Sequence, residues 1–150
     1  MPASIQERRA FWDSSALIPL LVRQIGSARA RQLLRIHSKP VVCWLTLVEL
    51  NSALARLIRE GALKPAGRDV ALGQLAGLEA VWVEVSPTVE VRTLAADLPY
   101  RYNLRAADAL QLASALVWSG GRPRGRAFVT LDERLAEAAR SSGFKVLSAS

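Results

Sequence analysis

Apolar residues along this chain alternate between two spacings, which predict strands and helices in turn. Short apolar runs predict strands at residues 10–13, 41–44, 81–85, 127–130 and 145–147. Apolar residues three or four positions apart predict helices around residues 17–21, 27–37, 46–60, 65–78, 86–99, 105–118 and 132–140. Strands separated by helices indicate a three-layer α/β/α fold with a central parallel sheet of four to five strands.

Two aspartates stand where predicted strands end, which is where a parallel sheet forms its sites. Asp13 ends the first strand, and Asp132 follows residues 127–130 and begins a helix. Each could instead be a helix N-cap. Asp13 is not required for capping, because Ser14 and Ser15 stand ready to cap the same helix. For Asp132 the two roles are compatible, since a capping carboxylate keeps one oxygen free for a ligand.

Two further acids lie in predicted helices. Asp108 belongs to a helix with no charged residue from 109 to 118, where an unpaired carboxylate would be costly. The alternative for Asp108 is a salt bridge to Arg101 or Arg105. Glu49 points away from the apolar stripe of its own helix.

Glu49 also has two structural interpretations, a capping box with Thr46 or an exposed ion pair with Arg56. The joint pattern of the four acids is more informative than any one of them. Carboxylates brought together repel each other unless a cation neutralises them, and Mg²⁺ or Mn²⁺ prefers such oxygen ligands. One Cys and one His leave no cluster for zinc.

The chain of 150 residues has the size of one domain, spanning 1–150. The net charge is +7, and arginine supplies 17 of the 20 basic residues, which favours a polyanionic partner. No leader pattern is found, and the apolar run at 16–22 is too short to span a membrane. We therefore expect a cytoplasmic protein, with Cys43 as an inert core thiol.

Four segments in order resemble the motifs of PIN domains. They are FWDSSALIPLL, WLTLVELNSAL, LRAADALQLASAL, and FVTLDERLAEAA followed by GFKVL, and each of the first four contains one of the four acids. Their order and spacing and the chain length most resemble the VapC toxins of bacterial and archaeal toxin–antitoxin pairs. The resemblance runs from residue 11 to residue 147, nearly the whole chain.

The resemblance implies a PIN-like fold and a Mg²⁺- or Mn²⁺-dependent endoribonuclease that cleaves tRNA or rRNA. It implies that the catalytic and metal-binding residues are Asp13, Glu49, Asp108 and Asp132. Ser15 corresponds to the hydroxyl residue that supports the first aspartate, and Thr130 would help to orient the site from its strand. Gln111 stands where many relatives have histidine, so it is given no catalytic role.

Arginines would hold the RNA backbone. The candidates are Arg56 beside Glu49, Arg105 near Asp108, and three residues of the loop SGGRPRGR, namely Arg122, Arg124 and Arg126. The resemblance implies two protein partners, an antitoxin that covers the acidic pocket and a second copy of the chain. The candidate interface aromatics are Trp12, Trp44, Trp82 and Trp118, although most are expected in the core.

Three alternatives remain at this point. The first is a non-catalytic RNA-binding module on the same fold. The second is a phosphotransfer receiver domain with Lys145 as its late lysine, although receivers need adjacent acids after the first strand and here Asp13 is followed by two serines. The third is a DNA or flap nuclease, for whose helical arch the small size leaves little room.

Overall fold

The computed structural model describes residues 1–149, which form five strands and eight helices. The strands are β1 Arg9–Trp12, β2 Lys39–Cys43, β3 Val83–Val85, β4 Ala127–Thr130 and β5 Lys145–Ser148. The helices are α1 Ile5–Arg8, α2 Ser14–Leu21, α3 Ser27–Ile36, α4 Thr46–Arg59, α5 Pro65–Glu79, α6 Val89–Arg101, α7 Ala106–Trp118 and α8 Glu133–Ser142. Every predicted strand is present, and the short α1 is the one element that the sequence patterns did not predict.

The five strands form one sheet in the order β3-β2-β1-β4-β5. All pairings are parallel, so the carboxyl ends of the strands share one edge of the sheet and the amino ends share the opposite edge. The chain builds outward from β1 to β3 and then returns to β4 on the other side of β1. The boundary between β1 and β4 is therefore the switch point at which parallel sheets form sites.

Helices cover both faces of the sheet, which confirms the predicted three-layer α/β/α fold. Successive residues of a strand point to opposite faces, so Ala10 and Trp12 of β1 pack in one core while Phe11 packs in the other. The first core also takes its buried residues from α2, α3, α4 and α5, and the second from α6, α7 and α8. Phe11 stacks on Phe128 of β4, with 5.2 Å between the ring centroids.

Several element boundaries differ from the predicted ones for local chemical reasons. Helix α6 begins after Thr88, whose hydroxyl accepts a hydrogen bond from the Val91 amide, rather than at Ser86. It continues past Pro99 to Arg101, with the proline in its last turn. Cys43 is buried as predicted, and burial raises the pKa of its thiol. Among the described helices, none has the length and hydrophobicity needed to cross a membrane.

Candidate active site

Asp13 follows β1 directly and occupies the N-cap position of α2. Its backbone continues the sheet, since its amide donates to the Val129 carbonyl at 3.0 Å. Its side chain makes no capping hydrogen bond, so the carboxylate is free to serve the site. The prediction that Ser14 and Ser15 cap this helix is wrong. Both lie in its first turn, and their hydroxyls donate to the Asp13 carboxylate instead.

Two hydroxyl groups fix the Asp13 carboxylate in place. Ser15 Oγ and Thr130 Oγ1 both donate to Asp13 Oδ2, the latter at 2.8 Å. Each hydroxyl also accepts from a backbone amide, Ser15 from Leu131 at 2.9 Å and Thr130 from Asp132 at 3.0 Å. Because each hydroxyl oxygen accepts from a backbone amide, its own proton is available to donate to Asp13. Ser15 and Thr130 thus both contact the Asp13 carboxylate, and their supporting role in the site stays a prediction.

Asp132 caps α8 as predicted, because its Oδ1 accepts from the Leu135 amide at 2.9 Å. Its other oxygen takes no part in the cap. Since β4 lies beside β1, the acids that follow these two strands come to the same edge of the sheet.

Asp108 lies in the first turn of α7, where its Oδ2 accepts from the Arg105 backbone amide at 3.3 Å. The alternative prediction of a salt bridge is wrong for both proposed partners. Arg101 pairs with Asp97 at 2.8 Å, and this is the only ion pair within residues 1–149. Asp108 is thus half-buried without a salt bridge, and within residues 1–149 its one side-chain hydrogen bond is the contact with the Arg105 amide at the start of α7.

Glu49 is held by Gln111, a residue with no predicted role. Gln111 is 1% exposed, and its Nε2 donates to Glu49 Oε1 at 2.6 Å and to Thr46 Oγ1 at 3.1 Å. The predicted capping box is wrong, because Thr46 is already the first residue of α4 and Leu45 holds the N-cap position. The signal that could have revealed Gln111 is a polar residue one turn after Asp108 in an otherwise apolar helix.

One cavity of about 300 Å³ joins these elements at the carboxyl edge of the sheet. It is lined by Glu49, Arg105, Ala107, Asp108, Asp132 and Arg134. Arg134 was not among the sequence candidates. Its position two residues after Asp132, in the first turn of α8, would have indicated it once Asp132 was placed at the helix start.

Electrostatic coupling connects the four acids. The pKa of Asp13 is raised to about 6, chiefly by burial, with the hydrogen bonds from Ser15 and Thr130 opposing the rise and the charges of Glu49 and Asp108 adding to it. Burial likewise raises the pKa of Asp108, and the charge of Asp132 contributes. Arg105 and Arg134 partly offset this effect at Asp108. The region therefore carries an unbalanced negative charge.

Glu49, Asp108 and Asp132 line the cavity, whereas Asp13 is not among its lining residues, so the acids do not form a finished ligand cage. Across residues 1–149, no three Asp, Glu, His or Cys side chains already have an arrangement that would hold a metal ion. By donor chemistry the site fits a hard divalent cation, which takes carboxylate oxygens and would relieve the repulsion just described. Binding such an ion would require the carboxylates to move toward one another.

Other sequence candidates lie away from this cavity. Arg56 is exposed on α4, about two turns beyond Glu49, and does not line the cavity. The loop with Arg122, Arg124 and Arg126 precedes β4, which places it at the amino edge, opposite the acids. The structure thus does not bring these three arginines to the acidic pocket, because a loop that enters a parallel strand lies at its amino end.

The same topology removes the receiver-domain alternative. Lys145 is the first residue of β5 and lies at the amino edge of the sheet, whereas Asp13 follows β1 at the carboxyl edge. A receiver lysine would have to reach the aspartate after the first strand, and a strand of four residues separates the two edges by about 13 Å.

Comparison with known proteins agrees with this architecture. Residues 10–141 match the family model of the PIN domain, and the chain therefore belongs to the PIN domain family. Two curated relatives are ribonuclease VapC45 of Mycobacterium tuberculosis strain CDC 1551 / Oshkosh and ribonuclease VapC49 of Mycobacterium tuberculosis strain ATCC 25618 / H37Rv. Each is 32% identical over 148 residues, covering 93% of this chain and 94% of the relative. The predicted membership and the likeness to VapC proteins are confirmed.

A solved structure with a similar fold is a chain of a toxin–antitoxin complex from Klebsiella pneumoniae. The TM-score is 0.64 at 15% identity, and the match covers 94% of this chain and 98% of the other. At this identity the likeness supports the fold alone.

Proposed function

We propose that this chain is a Mg²⁺- or Mn²⁺-dependent endoribonuclease and the toxin of a VapBC-type toxin–antitoxin pair, acting as one domain over residues 1–150. Two observations support the proposal: Glu49, Asp108 and Asp132 line one cavity with two arginines, and Asp13 lies close enough to Glu49 and Asp108 for their charges to raise its pKa. The names of the two relatives, both ribonucleases, support the reaction class.

The acids divide naturally into two pairs. Asp13 and Asp108, whose pKa values are raised by burial and by neighbouring carboxylates, are our proposed direct ligands. Glu49 and Asp132 would bind the ion directly or through water, or one of them would take the proton of the attacking water. When bound, the divalent ion would lower the pKa of that water and would stabilise negative charge on the phosphoryl oxygens.

The remaining polar residues position this machinery. Ser15 and Thr130 hold the Asp13 carboxylate, and Gln111 holds the Glu49 carboxylate. Arg105 and Arg134 line the cavity and would bind the phosphates that flank the cleaved bond. Phosphate contacts carry no sequence information, so selectivity for a tRNA or rRNA would depend on its folded shape and unstacked bases.

The proposal also includes two protein partners and a location in the cytoplasm, together with the RNA substrate. An antitoxin would inhibit the enzyme by placing a basic side chain among the acids, where it replaces part of the cation's charge. A second copy of the chain would form a homodimer. Trp44 is the best aromatic candidate for a protein contact, since it is 51% exposed while Trp12 is fully buried.

The test is cleavage of purified tRNA and rRNA by the purified chain with Mg²⁺ or Mn²⁺. We expect cleavage that EDTA abolishes and that Asp108→Asn abolishes. The matched control is Asp69→Asn, an equal change at an exposed position of α5, which should cleave like the wild type. RNA binding without cleavage under all metal conditions would contradict the proposal and favour the non-catalytic alternative.

A further inference from the structure

A second charged cleft lies at the opposite edge of the sheet. It measures about 490 Å³, and its charged residues are Arg9, Arg124, Arg126, Lys145 and Glu7. Its position follows from the topology, because Arg9 and Lys145 begin β1 and β5 and Arg126 precedes β4. Adjacent parallel strands bring these three residues to the same edge, about 13 Å from the carboxyl ends of the strands.

The positive charge of this cleft is not neutralised within the protein. The single ion pair among the described residues involves Arg101 and Asp97, so none of the four cleft cations has a carboxylate at salt-bridge distance. The one acid, Glu7, is occupied in accepting a hydrogen bond from the Ser4 amide at 2.6 Å. At neutral pH the cleft carries four positive charges and one negative charge.

Part of the cleft is already positioned for a ligand. The guanidinium carbon of Arg126 lies 5.2 Å from the centroid of the Trp118 ring, a cation–π contact that restrains the side chain. His37 Nδ1 lies 2.9 Å from the Glu7 carbonyl oxygen and ties the end of α3 to α1. These two contacts restrain Arg126 and His37 at the cleft.

We propose that this amino-edge cleft binds the phosphate backbone of a nucleic acid, at a site separate from the acidic pocket. Arginine suits phosphate because its planar fork donates two hydrogen bonds. Apart from Ala127 and Gly125 the cleft is lined by polar or charged residues, and no Trp, Tyr or Phe is among them to act as an aromatic anchor for a protein partner. Choosing RNA as the nucleic acid rests on the proposed function, whereas phosphate binding does not.

The test measures binding of a labelled single-stranded RNA to the full chain by fluorescence anisotropy in EDTA, across a series of salt concentrations. Arg124→Ala/Lys145→Ala removes two exposed cleft charges. Arg31→Ala/Arg68→Ala removes two exposed charges from α3 and α5 as the control. For single strands each phosphate contact contributes about 0.7 to the slope of log K against log salt. We expect the cleft variant to bind more weakly, with a slope shallower by about 1.4, and the control to retain the wild-type slope.

Equal slopes for the cleft variant and the wild type would overturn the proposal. A polyglutamate peptide that binds more tightly than RNA, with the same dependence on Arg124 and Lys145, would also overturn it and indicate an acidic protein partner. The proposed nuclease activity and the proposed cleft can fail separately. If the wild type cleaves RNA and the slopes are equal, only the proposal of a phosphate-binding cleft is refuted. If the wild type never cleaves RNA and the slopes differ, only the proposal of nuclease activity is refuted.

Discussion

Replacing Asp13 with asparagine should stabilise the metal-free protein at neutral pH, although it should abolish activity. The carboxylate is 4% exposed and faces the charges of Glu49 and Asp108. Asparagine has nearly the same shape, and its carbonyl oxygen can still accept from Ser15 and Thr130. Its amide group would replace Oδ1, the oxygen nearest the Ser14 hydroxyl at 3.4 Å, and would carry no charge to repel Glu49 and Asp108.

The magnitude follows from the pKa of Asp13, which is about 6 in the folded protein against 3.8 for the free side chain. Below pH 3.8 the Asp13 carboxyl group is protonated in the folded and the unfolded state, so its ionisation does not lower the free energy of unfolding. As the pH rises to about 6, the unfolded chain releases the proton first, so the wild type loses stability, and above that pH the loss is constant. At 1.36 kcal/mol per pH unit the loss reaches about 3 kcal/mol, which Asp13→Asn avoids.

The assay is urea denaturation in EDTA at a series of pH values from 4 to 8. The difference in free energy of unfolding between Asp13→Asn and the wild type should grow from near zero at pH 4 to at most about 3 kcal/mol above pH 6. Asp69→Asn, on an exposed position, should show no such growth. A difference that is independent of pH, or an Asp13→Asn variant that is less stable at pH 8, would refute the reasoning.

Three further predictions concern the same pocket. Asp132→Ala should lose about 1 kcal/mol of stability because it loses the helix cap, whereas Asp132→Ser should keep the cap. Both variants should fail to cleave RNA, so thermal denaturation together with a cleavage assay separates the capping role from the catalytic role. Gln111→Met should lower kcat at least about tenfold with little change in KM, since a charge-assisted hydrogen bond to Glu49 contributes about 1.5–3 kcal/mol, and a wild-type kcat would refute its positioning role. Arg105→Ala and Arg134→Ala should raise KM for RNA in steady-state kinetics while kcat changes little, and an unchanged KM would exclude them from substrate binding.

The sequence was sufficient to predict the sheet and the positions of the acids relative to it. Apolar runs located all five strands, and the geometry of parallel strands requires residues that follow β1 and β4, such as Asp13 and Asp132, to share an edge. Helix starts were predicted less well. Ser14, Ser15 and Thr46 are good capping residues, yet each lies one or two positions inside its helix, where its hydroxyl serves a side chain instead.

The contacts between layers could not be predicted in this way. Gln111 meets Glu49 across 62 positions of sequence, because α7 and α4 cover opposite faces of the sheet and converge only at its edge. The position of Arg124 and Arg126 was missed for a different reason. Their charge indicated nucleic acid, but the predicted parallel sheet with a strand at 127–130 already requires the loop before that strand to lie at the amino edge, away from the acidic pocket.

The central claim is that Asp13, Glu49, Asp108 and Asp132 close around one divalent cation. Its most direct test is anomalous X-ray diffraction from crystals of the chain grown with Mn²⁺. The account predicts an anomalous peak in the acidic pocket, within about 2.5 Å of carboxylate oxygens of both Asp13 and Asp108. A structure at saturating Mn²⁺ with no peak there, and with the carboxylates still apart, would contradict it.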